Sequence, residues 1–188
     1  MLGCWAAERS CAATAHYWYG EYLSFVGRFD ESIEHIERAY ELDPQSLVIN
    51  TVRGYPYMRS GRGDTAINYF IKTLEMEPKF PLAHFYLGKC YVEQEHFSDA
   101  IKEQLAAISG SGESAAFMAA LSFVYAASGN RTEARAVLSK MKNESRRSYV
   151  SPYSMATVYA GLGQTDDAFK WLDKALDTSD AGEAGSAG

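Results

Sequence analysis

Large and small side chains return along this chain at a fixed interval of 34 residues. Leu23, Tyr57, Tyr91, Tyr125 and Tyr159 form one ladder, and Ser32, Ala66, Ala100, Ala134 and Ala168 a second. Gly27, Gly61, Gly129 and Gly163 make a third, with Glu95 in the vacant slot. Gly20, Gly54 and Gly88 make a fourth, and Pro44 and Pro78 a fifth. The large residue belongs on a first helix, where a small one on a second lets the two backbones approach. The intervening glycine ends the first helix by adopting the left-handed conformation. The proline ends the second, because it cannot continue one. Each unit is therefore helix, turn, helix. A lone hairpin cannot bury its apolar face, so neighbouring units stack to complete the core.

This pattern predicts helices at 13–26, 30–43, 47–60, 64–77, 81–94, 98–109, 115–128, 132–142, 152–162 and 166–177. Pro56 should kink or loosen the third of these, since it removes a backbone hydrogen bond. Ser151 suits an N-cap and Pro152 the first helical position. Asp166 and Asp167 stand where a helix dipole favours acids.

The segment from His16 to Pro44, HYWYGEYLSFVGRFDESIEHIERAYELDP, resembles the tetratricopeptide repeat. The family pattern is Trp-x-x-Leu-Gly-x-x-Tyr, then Ala, an aromatic or aliphatic residue, Ala and Pro. Residues from His84 to Ala107 are also close to it. The Trp slot departs from the family, holding His16, Asn50, His84, Met118 and Pro152. The resemblance covers about residues 13–177 and implies an all-α, right-handed superhelical solenoid of about five hairpins. The repeats fall at about 13–46, 47–80, 81–114, 115–148 and 149–177. Residues 1–12 are expected to be a partial helix or capping stub, and residues 178–188 a disordered tail. The run from Arg147, RSYVSPYSMATVYAGLGQTDDAFKWLDKAL, is similar to the repeat region of bacterial regulators that carry a winged-helix or serine/threonine-kinase domain upstream. Neither domain's motifs occur in these residues.

The net charge of −6 argues against a sequence-independent hold on nucleic acid, which requires a basic surface. No apolar run is long enough for a membrane span, and no usual signal peptide opens the chain. Cys4, Cys11 and Cys90 form neither a CxxC pair nor a disulfide framework, which suits a reducing, cytoplasmic setting. His16, His35, His84 and His96 have no metal-ligand spacing, and Gly110-Ser-Gly112 lacks the Lys-Ser or Lys-Thr of a phosphate loop. No catalytic, cofactor or metal residues are therefore assigned, and no enzyme activity is expected.

The resemblance places the first helices on a concave face. Its slots hold Tyr17, Glu21, Phe25, Thr51, Tyr55, Arg59, Phe85, Lys89, Phe123, Tyr153 and Thr157. Aromatics with a few charges are the composition of a recognition surface, and a protein or peptide segment laid along a groove is its natural occupant. The expected function is a non-catalytic interaction scaffold. The alternative is a regulatory or sensor module controlling a transcription-factor or kinase output domain, in cis or in trans. Family members that clamp the carboxylate of heat-shock chaperones carry Lys, Asn and Arg where this chain has Tyr17, Glu21, Val52, Leu82 and Tyr86, so that subtype does not fit. Phe169, Trp171, Leu172 and Leu176 leave an apolar C-terminal end, which a second copy or another segment could cover.

Overall fold

The structure, a computed structural model, describes residues 2–111 and 114–184. Among them are eleven helices and no strand, so the fold is all-α. The helices gather into two compact units, Met1–Gln94 and Glu95–Gly188. The division falls inside the third repeat, between its first and second helices.

The first unit contains α1 (Leu2–Phe25), α2 (Phe29–Leu42), α3 (Leu47–Val52), α4 (Tyr55–Arg59), α5 (Gly63–Met76) and α6 (Pro81–Glu93). Residues 2–12, expected to be a partial helix or capping stub, are the first half of α1. Neither glycine nor proline lies between Gly3 and Gly20, and the alanines in that stretch favour unbroken helix.

The single helix expected over 47–60 is two, and Pro56 is the reason. It has no N–H to give to Val52, and its ring crowds the preceding turn. The Gly54 N–H reaches back only three residues, to the Thr51 carbonyl at 3.0 Å. Arg53 fastens this break from outside. Two of its nitrogens donate to the two carboxylate oxygens of Glu37 on α2, both at 2.9 Å. Its guanidinium carbon also lies 3.7 Å from the Tyr40 ring centre and 5.0 Å from that of Tyr69 on α5. A paired, stacked arginine of this kind joins three helices at the interrupted point.

The glycine slot in the first helices is a site of close backbone approach. A Cβ on Gly20 would lie 2.5 Å from Ile36 Cγ1, and one on Gly54 would lie 2.6 Å from Phe70 Cε1. Opposite them, Ser32 and Ala66 are fully buried. Between α5 and α6, Ala66, Phe70, Leu87 and Cys90 form a core, with Tyr55, Tyr86 and Tyr91 packed against it. Burial raises the Cys90 thiol to about 12, so it behaves as a small apolar side chain.

The second unit contains α7 (Phe97–Ser111), α8 (Ala115–Ala127), α9 (Arg131–Glu144), α10 (Pro152–Gly161) and α11 (Thr165–Ala184). Its core joins Met118, Leu138, Met141, Met155, Val158 and Tyr159. Ser151 and Pro152 take their expected N-cap and first-turn places, although the serine hydroxyl makes no capping hydrogen bond. α11 continues to Ala184, so the tail expected to be disordered from 178 is helical that far. Residues 185–188 lie outside the described residues.

Candidate functional site

In the first unit, α1, the broken helix α3–α4 and α6 are the first helices of three successive repeats, and side chains of α1, α4 and α6 come together on one wall. α1 supplies Tyr17, Glu21 and Phe25. The Tyr17 phenol and the Glu21 carboxyl lie close enough to act on one another. Burial, and then the Glu21 carboxylate, raises the Tyr17 phenol far above its ordinary value. Burial likewise raises the Glu21 carboxyl, with the Tyr17 phenol opposing it. Phe25 is 69% exposed.

α4 supplies Tyr55 and Arg59. The Arg59 guanidinium stands 5.3 Å from the Phe25 ring centre and 5.7 Å from that of Tyr55. Its Nε donates to the Ser24 carbonyl at 3.2 Å, so α4 holds the end of α1. α6 supplies Phe85 and Lys89, with the Lys89 ammonium 5.5 Å from the Phe85 ring. Lys89 is exposed, yet desolvation lowers its pKa, ahead of an opposing pull from Glu93 and a further lowering by Arg59. A side chain reached by water but crowded by protein is what a concave wall produces.

Thr51 does not belong to this surface. It is fully buried, and its hydroxyl donates to the Leu47 carbonyl at 2.8 Å. Tyr86 does belong to it, although its slot alone does not assign it there. Its ring lies 5.4 Å from Tyr55, 5.2 Å from Phe85 and 5.7 Å from Phe70 beneath. Burial raises its phenol, followed by the nearby Tyr55, Glu21 and Tyr17. The aromatic pair Phe85-Tyr86 is the signal in the sequence that could have found it. One member faces the wall and the other anchors it to α5.

The remaining expected residues stand in the second unit. Phe123 on α8 packs against α10, where a Cβ on Gly161 would come within 3.1 Å of its ring. Tyr153 is 67% exposed. The Thr157 hydroxyl is engaged with the Tyr153 carbonyl at 3.0 Å. These form a sparser surface than the wall of the first unit. Among the described residues, no three His, Cys, Asp or Glu side chains gather to hold a metal ion, and no helix is long and apolar enough to cross a membrane.

Family models described as tetratricopeptide repeat match residues 13–46, 52–116 and 115–140. Solved structures share the fold. A thermophilic tetratricopeptide-repeat protein of Thermus thermophilus superposes with a TM-score of 0.70 at 20% identity, over 88% of this chain and 91% of that one. MamA superposes with a TM-score of 0.56 at 23% identity, over 88% of this chain and 96% of that one. Yeast Tom70 gives 0.65 at 17% identity, over 88% of this chain and 36% of that one.

Proposed function

Because the chain is a tetratricopeptide-repeat protein, we propose that it is a non-catalytic scaffold that holds a peptide or protein segment on the first-helix wall of its N-terminal unit. Folds of this type generally serve as protein-interaction scaffolds. The observation that carries the reading is the joining of Tyr17, Glu21, Phe25, Tyr55, Arg59, Phe85 and Lys89 on one surface with an aromatic floor. Aromatic side chains supply contact area at low entropic cost, and the charges between them fix register. Phe123, Tyr153 and Thr157 offer a further contact in the second unit. The regulatory alternative rests on the resemblance from Arg147 onward, and the wall adds nothing to it.

The test is a selection of displayed peptides against the purified chain, followed by hydrogen exchange of the complex. Protection concentrated in α1, α4 and α6 is the expected result. Protection confined to the second helices, or a failure to enrich any peptide, would sink the proposal.

We also propose a second copy of the chain as an additional contact at the C-terminal end. Phe169 and Leu176 of α11 are 61% and 66% exposed. Their counterparts in α5, Ile67 and Leu74, pack against the α5–α6 core.

A further inference from the structure

The wall of the first unit carries two cations that no carboxylate engages directly. Arg59 spends its hydrogen bonds on backbone carbonyls, Ser24 at 3.2 Å and Phe25 at 3.5 Å. Lys89 makes no ion pair among the described residues. The two charges are close enough to act on one another. Each lies beside an aromatic ring, Phe25 and Tyr55 for Arg59 and Phe85 for Lys89. The nearby acids make no ion pair with either cation among the described residues. Glu21 lies beside Tyr17, and Glu93, exposed one turn beyond Lys89, acts on it through space only. In a repeat protein of net charge −6, two cations without an ion pair, each beside an aromatic ring, are a cationic feature on the wall.

We propose that Arg59 and Lys89 together receive an acidic side chain of the bound segment, whose apolar neighbours rest on Phe25, Tyr55 and Phe85. The occupant is thus an extended peptide with an aspartate or glutamate between aromatic or aliphatic residues. Arginine, already oriented by the two carbonyls, offers a fixed set of donors, and lysine offers a point charge that can follow the ligand. Partial desolvation of the site strengthens the attraction to a carboxylate. This inference rests on the proposed peptide-holding wall and adds the chemistry of the peptide.

The test uses an array of nonapeptides with Leu and Phe flanks and a central Glu, Asp, Gln, Asn or Lys, titrated against the full chain. The acidic peptides should bind roughly tenfold or more tighter than their amide counterparts, the scale of one charge-assisted contact. Lys89→Gln should abolish most of that preference while leaving helicity intact, since Lys89 supports no other side chain by an ion pair. Equal binding of the Glu and Gln peptides would overturn the acidic preference and leave the scaffold reading standing. Preference for the Lys peptide would overturn it too. Failure of every peptide to bind would overturn both.

Discussion

Ser32 on α2 donates its hydroxyl to the Gly20 carbonyl on α1 at 2.7 Å, deep in the first hairpin. Three repeats later the same contact recurs with the hydroxyl on the opposite helix, where Ser122 of α8 donates to the Ala134 carbonyl of α9 at 3.0 Å. Ser122 occupies the Gly20 slot and Ala134 the Ser32 slot. The tight helix pairing thus tolerates one small hydroxyl on either side. Ser32→Ala and Ser122→Ala should each lower stability by about 1 kcal/mol, the net value of a typical buried hydrogen bond. Urea denaturation followed by circular dichroism reads this as a lower midpoint.

The same contact sets a strict size limit. Gly54→Ala would place a methyl 2.6 Å from the Phe70 ring and 3.1 Å from the Ala66 carbonyl. The expected cost is about 1–3 kcal/mol, typical of an overpacked core. Ala66→Arg, which adds bulk and charge at a fully buried position, should prevent the first unit from folding. An Ala66→Arg protein that melts like the parent would show that the 34-residue register has been misread.

Glu95 should be the easiest position to improve. Its φ is 59°, while the glycines of its ladder, Gly27, Gly61, Gly129 and Gly163, have φ between 73° and 84°. Side-chain-bearing residues adopt this left-handed region at a cost of about 1 kcal/mol, which glycine avoids. Glu95→Gly should therefore raise the denaturation midpoint, and Gly61→Ala, the reverse experiment, should lower it by a similar amount.

His16 and His35 approach with their Nδ1 atoms 2.9 Å apart, an arrangement that requires one ring nitrogen to be unprotonated. Burial, then the His35 and Arg38 charges, lowers the His16 pKa. The unfolded chain consequently takes up its proton first as pH falls. Stability is fully present above the unfolded value of about 6.5 and declines as pH drops through it toward the lowered folded value. His16→Asn should flatten this decline. Denaturation midpoints measured on both sides of that pH provide the comparison.

If α11 meets a second copy, its exposed apolar face should make the purified chain associate with rising concentration. Light scattering across a concentration series would show the mass increase. Phe169→Glu with Leu176→Glu should abolish it without loss of helicity. A parent chain that remains monomeric throughout would remove the proposed contact.

The repeat period was legible in the sequence because it is written in residue sizes. Gly20 and Gly54 permit close approach, Ser32 and Ala66 answer them, and the turn glycines stop each first helix through backbone conformation. These are local or nearest-neighbour properties, so five ladders were enough to place the hairpins. The break at Pro56 was legible for the same reason, since a missing N–H acts on its own helix. Equivalent slots also grouped Tyr17, Glu21, Phe25, Tyr55, Arg59, Phe85 and Lys89 as residues of one expected surface. Its final membership was decided by tertiary packing. Thr51 and Tyr17 share a slot, yet the threonine is buried and bonded to its own helix while the tyrosine joins Glu21 at the wall. Tyr86 became the floor because Phe70 on α5 lay within reach of its ring. Arg53 found Glu37, and His16 found His35, across distances in sequence that no 34-residue period records. Slots specify where a Cβ points, and only the packed neighbours determine whether the side chain beyond it meets water, a ring or a charge.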